Sequence, residues 1–223
     1  AAFLASPQGT NEDVFALKAL AGAVGGKIDF RVGDPQKKVR ERIDHVLQRA
    51  DRNPNTQGCL DQGVGRDGVD AILAACRAGS VKALVLQGPE ILRVPEAVDA
   101  IAKVPFVAVM ATHEGPELDR ATVVLPAALW AEAEGTFTNF ERRVQRLKAA
   151  VPPPGDAQPR WELLAGVLQR LGQPLAAATA REVFALLAKA TPGYAGLDYR
   201  ALGALGKALP PAESTLPAQE ARA

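Results

Sequence analysis

The stretch "GTFTNFERR", residues 135–143, sets Thr136, Thr138, Asn139, Glu141, Arg142 and Arg143 close behind Gly135. Hydroxyls, an amide and guanidinium groups at that density can hold a polar ligand. They can equally bond one another at a junction between packed elements. Two shorter stretches also carry groups able to do chemistry. "QGPE", residues 87–90, and "THEG", residues 112–115, each follow a short apolar run. In an open α/β sheet, the turns after neighbouring parallel strands share the carboxyl edge, where ligands bind. Gly88 there either lets backbone approach a ligand closely or makes a tight turn. Glu90 and His113 would offer polar groups beside it. His113 has no Ser or Cys partner in a nucleophile motif.

"GVGRDG", residues 63–68, satisfies the G-x-G-x-x-G pattern and precedes a helical pattern. A dinucleotide fingerprint needs a strand directly before it, and "NTQGCLDQ" does not read as one, so a glycine-rich connector is the competing reading to NAD binding. His45 stands beside Asp44 in a charged helical pattern and reads as solvated or partly packed. Cys59 and Cys76 lack any C-x-x-C partner and read as free thiols in a reducing compartment. An iron–sulfur cluster needs about four thiolates, more than this sequence holds.

The elements that must position these groups alternate between strand and helix. Strands are expected at residues 1–5, 28–32, 82–87, 106–112 and 122–127. Helices are expected after Asn11, read as a cap with Glu12 and Asp13 in the first turn, and over 36–50, 69–78 and 95–104. A short helical turn is expected at 117–120, and residues 51–68 read as loop. Past residue 128 come helices at 161–171 and 181–190, the latter capped by Thr179. After these come a loop, a further short helix before residue 209, and a tail. The implied fold is a Rossmann-like open, mainly parallel α/β sheet with helices on both faces and a C-terminal helical extension. The implied division is residues 1–128 as the α/β domain, 129–209 as the GTFTN junction with its helices, and 210–223 as a flexible tail.

A chain of 223 residues with 48% hydrophobic content can bury one core. Its net charge of +1 gives no basic footprint for nucleic acid. The apolar runs are too short to cross a bilayer, and no secretory signal opens the sequence. The first residue is Ala, which fits a piece of a longer protein.

The ordered run "ATVVLPAALWAEAEGTFTNFERRVQRLKAAVPPPGDAQPRWELLAGVLQRLG" resembles the molybdopterin oxidoreductase family. That family includes formate dehydrogenases, and the large iron–sulfur subunit of NADH:quinone oxidoreductase (respiratory complex I) descends from it. "SPQGTNED" resembles the family's helix-opening motif, and "ATPGYAGLDYRALGALG" resembles formate-dehydrogenase relatives. "ADRNPNTQGCLDQGV" resembles the complex I subunit more than the catalytic enzymes. The departures are equally specific. The resemblance implies a cysteine or selenocysteine metal ligand after the second strand, where this chain reads "IDFRVGDPQ". It implies Gly-Glu-Asn-Pro where Gly88-Pro89-Glu90 stands, and a pterin-binding aspartate where Ala111 and Thr112 stand.

The resemblance therefore implies a non-catalytic scaffold segment, most like the C-terminal region of that complex I subunit. Iron–sulfur clusters would lie in a preceding region, and other subunits of a respiratory NADH dehydrogenase complex would be the partners. The place would be the cytoplasmic face of the inner membrane, without direct insertion or nucleic acid. Gly88, Glu90, His113, Gly135, Thr136, Asn139 and Arg142 would be a vestigial pterin site. The alternatives are a formate-dehydrogenase-like segment that binds part of the pterin cofactor, and a Rossmann-like module for a nucleotide or other small molecule.

Overall fold

The structure, a computed structural model, describes residues 1–30, 51–65 and 68–210. The expected helix over 36–50, His45, most of "IDFRVGDPQ", two residues of the glycine motif and nearly all of the tail lie outside them. Five short strands form one sheet: β1 (Ala2–Ala5), β2 (Lys27–Phe30), β3 (Ala83–Leu86), β4 (Phe106–Ala111) and β5 (Val123–Pro126). They are parallel throughout, in the order β2-β1-β3-β4-β5. The near-continuous apolar runs "AFLA", "ALVL" and "FVAVMA" suit strands covered on both faces.

Helices supply that cover. The chain order adds α1 (Asn11–Ala23), α2 (Thr56–Asp61), α3 (Val69–Arg77), α4 (Pro95–Ile101), α5 (Arg160–Arg170) and α6 (Ala180–Ala190). On one face Ile72 and Leu73 of α3 and Ala97, Ala100 and Ile101 of α4 pack on Leu84, Leu86, Val107 and Val109. On the other, Leu17 and Leu20 of α1 meet Phe3, Met110, Trp161 and Leu164. A third cluster gathers Phe184 and Leu187 of α6 with Val144, Tyr194, Tyr199 and Leu202.

Several expectations need correction. Thr10, not Asn11, caps α1: its hydroxyl accepts from the Asp13 N–H at 3.1 Å, and Asp13 Oδ2 accepts from the Thr10 N–H at 2.9 Å. That one-residue shift moves Asn11 into the helix and aims its amide elsewhere. The stretch read wholly as loop contains α2. "GTFTN" is not a loop but a strand, β6 (Gly135–Thr138), antiparallel to β7 (Arg143–Leu147), with β8 (Lys207–Ala208) on the far side of β7. Where a last short helix was expected there is a 3-10 turn, Pro192–Tyr194, then turns leading into β8. Glycines at 193, 196, 203 and 206 favour turns over a continuing helix.

Candidate functional site

Two sites take up the residues singled out from the sequence, and α1's first turn stands between them. The first is a cleft at the carboxyl edge of the sheet. Strands β3 and β4 are neighbours, so the turn with Gly88 and Glu90 lies beside the turn with Thr112 and His113, as the strand order required. Glu90 and His113 line a cleft of about 240 Å³ together with Thr112, Trp130 and Arg160. Behind it, the buried side chain of Gln87 fills the place where the sheet order reverses between β1 and β3. Its Oε1 accepts from the Ser6 N–H at 3.2 Å and its Nε2 donates to the Asp13 carbonyl at 2.7 Å. The Arg160 Nε–H donates to the Gln87 carbonyl at 2.8 Å, and the Trp161 N–H donates to Asp13 Oδ1 at 2.9 Å. Ser6 Oγ donates to Glu90 Oε1 at 2.9 Å, which holds that carboxylate toward β1. Arg93 and Glu117 pair at 2.7 Å across the two turns, and the Arg93 hydrogen bond holds the Glu117 carboxyl below its usual range.

The second site is the hairpin of β6 and β7. Thr136 and Thr138 are fully buried there. Asn11 Nδ2 donates to both of their hydroxyls at 3.0 Å. The Thr136 N–H and hydroxyl donate to the two oxygens of Glu12 at 2.8 and 3.1 Å, and the Tyr199 hydroxyl donates to Glu12 Oε1 at 3.0 Å. The Thr138 N–H donates to Asn55 Oδ1 at 2.8 Å, and its hydroxyl shares a 2.6 Å bond with Tyr194. Asp61 pairs with Arg142 at 2.9 Å and accepts from Tyr194 at 3.4 Å. The threonine groups of this stretch are thus taken up by the protein itself. Burial pushes the Glu12 carboxyl from its ordinary 4.5 up to about 8, against the pull of its hydrogen-bond donors and with a further push from Asp13. Burial also raises the Tyr194 and Tyr199 hydroxyls, which stay protonated donors.

The structure does not bring the seven residues into one place. Gly88, Glu90 and His113 belong to the strand-end edge. Gly135, Thr136, Asn139 and Arg142 belong to the hairpin, and none of these four lines the cleft. Trp130, expected to anchor the hairpin, is instead 64% exposed at the cleft. Asn139 sits at the hairpin turn, where its Oδ1 accepts from the N–H groups of Glu141 and Arg143 at 3.0 and 2.9 Å, and Arg142 adopts a positive φ of 57°. Asn139 is only half buried, so water can replace part of what it does. Asn139→Ala is therefore expected to cost about 1 kcal/mol, the low end for a lost acceptor. Urea midpoints measure it, and no shift would mean that the turn holds itself without the amide. Amides of residues 135–138 are expected to exchange near the global rate, because both neighbouring elements must separate to expose them; rapid exchange there would contradict a packed knot.

Reading the sequence missed Gln87 and Arg160. The signal for Arg160 was available: an arginine at the first position of a helix opposes the helix dipole, which favours anions there. Such a placement points to another use for the charge.

Residues 14–170, which span both sites, match the family model described as "Molybdopterin oxidoreductase". The chain belongs to the molybdopterin oxidoreductase family. Among its relatives within the family is the F420-dependent formate dehydrogenase 2 subunit alpha of Methanococcus maripaludis, 49% identical over 37% of this chain and 13% of that protein. The F420-dependent formate dehydrogenase 1 subunit alpha of the same organism is 35% identical over 66% of this chain and 23% of that protein. The F420-dependent formate dehydrogenase subunit alpha of Methanocaldococcus jannaschii is 44% identical over 37% of this chain and 12% of that protein. The chain thus spans less than a quarter of the length of these relatives. They are formate dehydrogenase subunits, whereas the sequence resemblance had placed the NADH:quinone oxidoreductase subunit first.

The family description implies a pterin cofactor with a metal. Among the described residues no group of three or more His, Cys, Asp or Glu side chains could hold a metal ion. Cys59 and Cys76 are buried in different cores, and burial raises both thiols. The cleft does fit an anionic part of such a cofactor, because the buried Arg160 guanidinium has an acceptor only for its Nε–H among the described residues. No helix among those residues is long and apolar enough to cross a membrane.

Proposed function

We propose that this chain is a segment of a formate-dehydrogenase-like molybdopterin oxidoreductase, in which the strand-end cleft forms part of the wall around the pterin cofactor. One observation carries the reading: the family match covers every group named above as lining the cleft, from Glu90 to Arg160. When bound, the cofactor supplies the redox chemistry. This chain's own residues bind and orient. Arg160 and the neighbouring Thr112 and His113 face the cleft, Gln87 backs it rigidly, and Asp13 ties the start of α5 to the start of α1. The metal ligand would come from other parts of the full-length protein.

The test is made on the full-length protein that carries this segment. Elemental analysis is expected to find molybdenum or tungsten, and formate is expected to reduce an artificial dye acceptor. Metal-free protein without formate activity, isolated together with NADH-oxidising subunits, would instead support a complex I scaffold. One observation favours that second reading: Thr136 and Thr138 are used up inside the protein. In that case the partners would be neighbouring subunits of a respiratory NADH dehydrogenase complex at the membrane's cytoplasmic face.

Both readings share an expectation for the segment purified by itself. After growth with both metals and dialysis, it is expected to retain neither. Stoichiometric metal would mean that the ligands lie within these 223 residues after all.

A further inference from the structure

Arg160 is a cation without a counter-charge among the described residues. It is 8% exposed, lines the cleft, and uses only its Nε–H there; its Nη groups meet no acceptor among those residues. Burying a guanidinium without acceptors is costly, and the start of α5 makes the place worse for a cation. The nearby carboxylates do not relieve it: Glu90 accepts from Ser6 and Glu117 is paired with Arg93. An anion in the cleft would satisfy the free donors, and a guanidinium fork fits phosphate oxygens in particular.

Two other features narrow the ligand. Trp130 presents an exposed ring on the same cleft, a surface on which a flat heterocycle can stack. His113 stands beside it with Nδ1 already bonded to the Thr112 hydroxyl at 3.0 Å, which leaves Nε2 available to an oxyanion. The volume of about 240 Å³ lies below the usual range for a whole drug-sized ligand, so one ring with one phosphate is the size class.

We propose that the cleft is a binding site for an aromatic phosphate ester of mononucleotide size, with Arg160 gripping the phosphate and Trp130 covering the ring. The proposal rests on the reading of this cleft as a ligand wall, and it names the part of a ligand that this chain takes.

Fluorescence tests it directly, because the only other tryptophan, Trp161, is buried. Adenosine monophosphate is titrated into the chain, with inorganic phosphate and adenosine as separate arms. Saturable quenching by the monophosphate is expected, with competition by phosphate, no binding of adenosine, and loss of the signal in Trp130→Phe. Arg160→Met is expected to weaken binding roughly tenfold or more, and Glu90→Gln to tighten it by removing a like charge. Arg77→Gln, outside the cleft, is expected to change nothing. Arg160→Lys keeps the charge should the methionine variant fail to fold, and it is expected to retain weakened binding. Added salt should lower the parent's affinity in either case.

Absence of monophosphate binding, equal binding of adenosine, or undiminished binding by Arg160→Met would each overturn the proposal. Phosphate bound as tightly as the monophosphate would remove the role of Trp130. Monophosphate binding by this chain, with no pterin in the full-length protein, would sink the cofactor reading and leave this site standing. A pterin-loaded full-length protein whose cleft ignores phosphate esters would do the reverse.

Discussion

Gly58→Ala is expected to cost more than about 3 kcal/mol of stability, by overpacking and by breaking the polar knot around β6. A Cβ on Gly58 would lie 2.0 Å from Asn11 Oδ1 and 2.2 Å from Asn55 Oδ1. Neither amide can swing away freely. Asn11 is held by Thr136 and Thr138, and Asn55 by Thr138 and by the Gly9 carbonyl at 2.9 Å. Helix propensity argues the other way, since alanine within α2 should gain up to about 1 kcal/mol over glycine. The clash is the larger effect because displacing either amide strands several buried partners at once. Gly22→Ala separates the two effects: Gly22 is exposed in α1 with no atom within 4 Å of a new Cβ, so it should stabilise by about 0.5–1 kcal/mol. Urea midpoints of both variants decide it, and a Gly58→Ala protein as stable as the parent would mean that the knot is loose.

Stability is also expected to fall as pH rises from 4.5 to about 8, through Glu12. The folded protein holds this proton up to about pH 8, while the unfolded chain releases it near the ordinary 4.5. The folded state therefore binds more protons across that window, so its advantage is full below 4.5 and is lost as pH passes about 8. The slope approaches 1.4 kcal/mol per pH unit where the two states differ by a whole proton. The groups that face Glu12 are mixed in sign. Asp13 on its own helix and Tyr199 adjoin it, while Arg146, 4.7 Å over the Tyr199 ring, and Glu134 lie just beyond. Glu12→Gln should flatten this part of the profile while keeping an oxygen acceptor for Thr136 and Tyr199. If parent and variant give parallel profiles, the three donors outweigh burial and Glu12 is a carboxylate throughout.

The strand–helix alternation was legible because each strand is a short apolar run and each long helix carries a 3.6-residue pattern. Those local signals do not depend on what packs against them. The adjacency of the Glu90 and His113 turns followed too, since consecutive parallel strands tend to neighbour each other. The family was legible from one ordered stretch. The polar content of "GTFTN" was plain, and so was the choice it posed between ligand and self-satisfaction.

Tertiary structure decided that choice for the threonines. The partners of Thr136 and Thr138 are Asn11, Glu12, Asn55 and Tyr194, which lie more than fifty positions away along the chain, and no local pattern pairs groups at such separations. The same limit hid α2, whose six residues carry glycine and little periodicity and are held in place by contacts with α1 and β6. It also hid the exchange of roles between two aromatic residues. Trp130 looked like an anchor by composition and lies open at the cleft, whereas Tyr194 and Tyr199, in a glycine-rich stretch, close the core beneath the hairpin. Sequence by itself determined the elements, the family and the list of polar groups. Only the packing of distant segments decided which of those groups bond one another and which, like Arg160, are left facing a cleft, because burial and hydrogen-bond partnership depend on neighbours that the chain order does not specify.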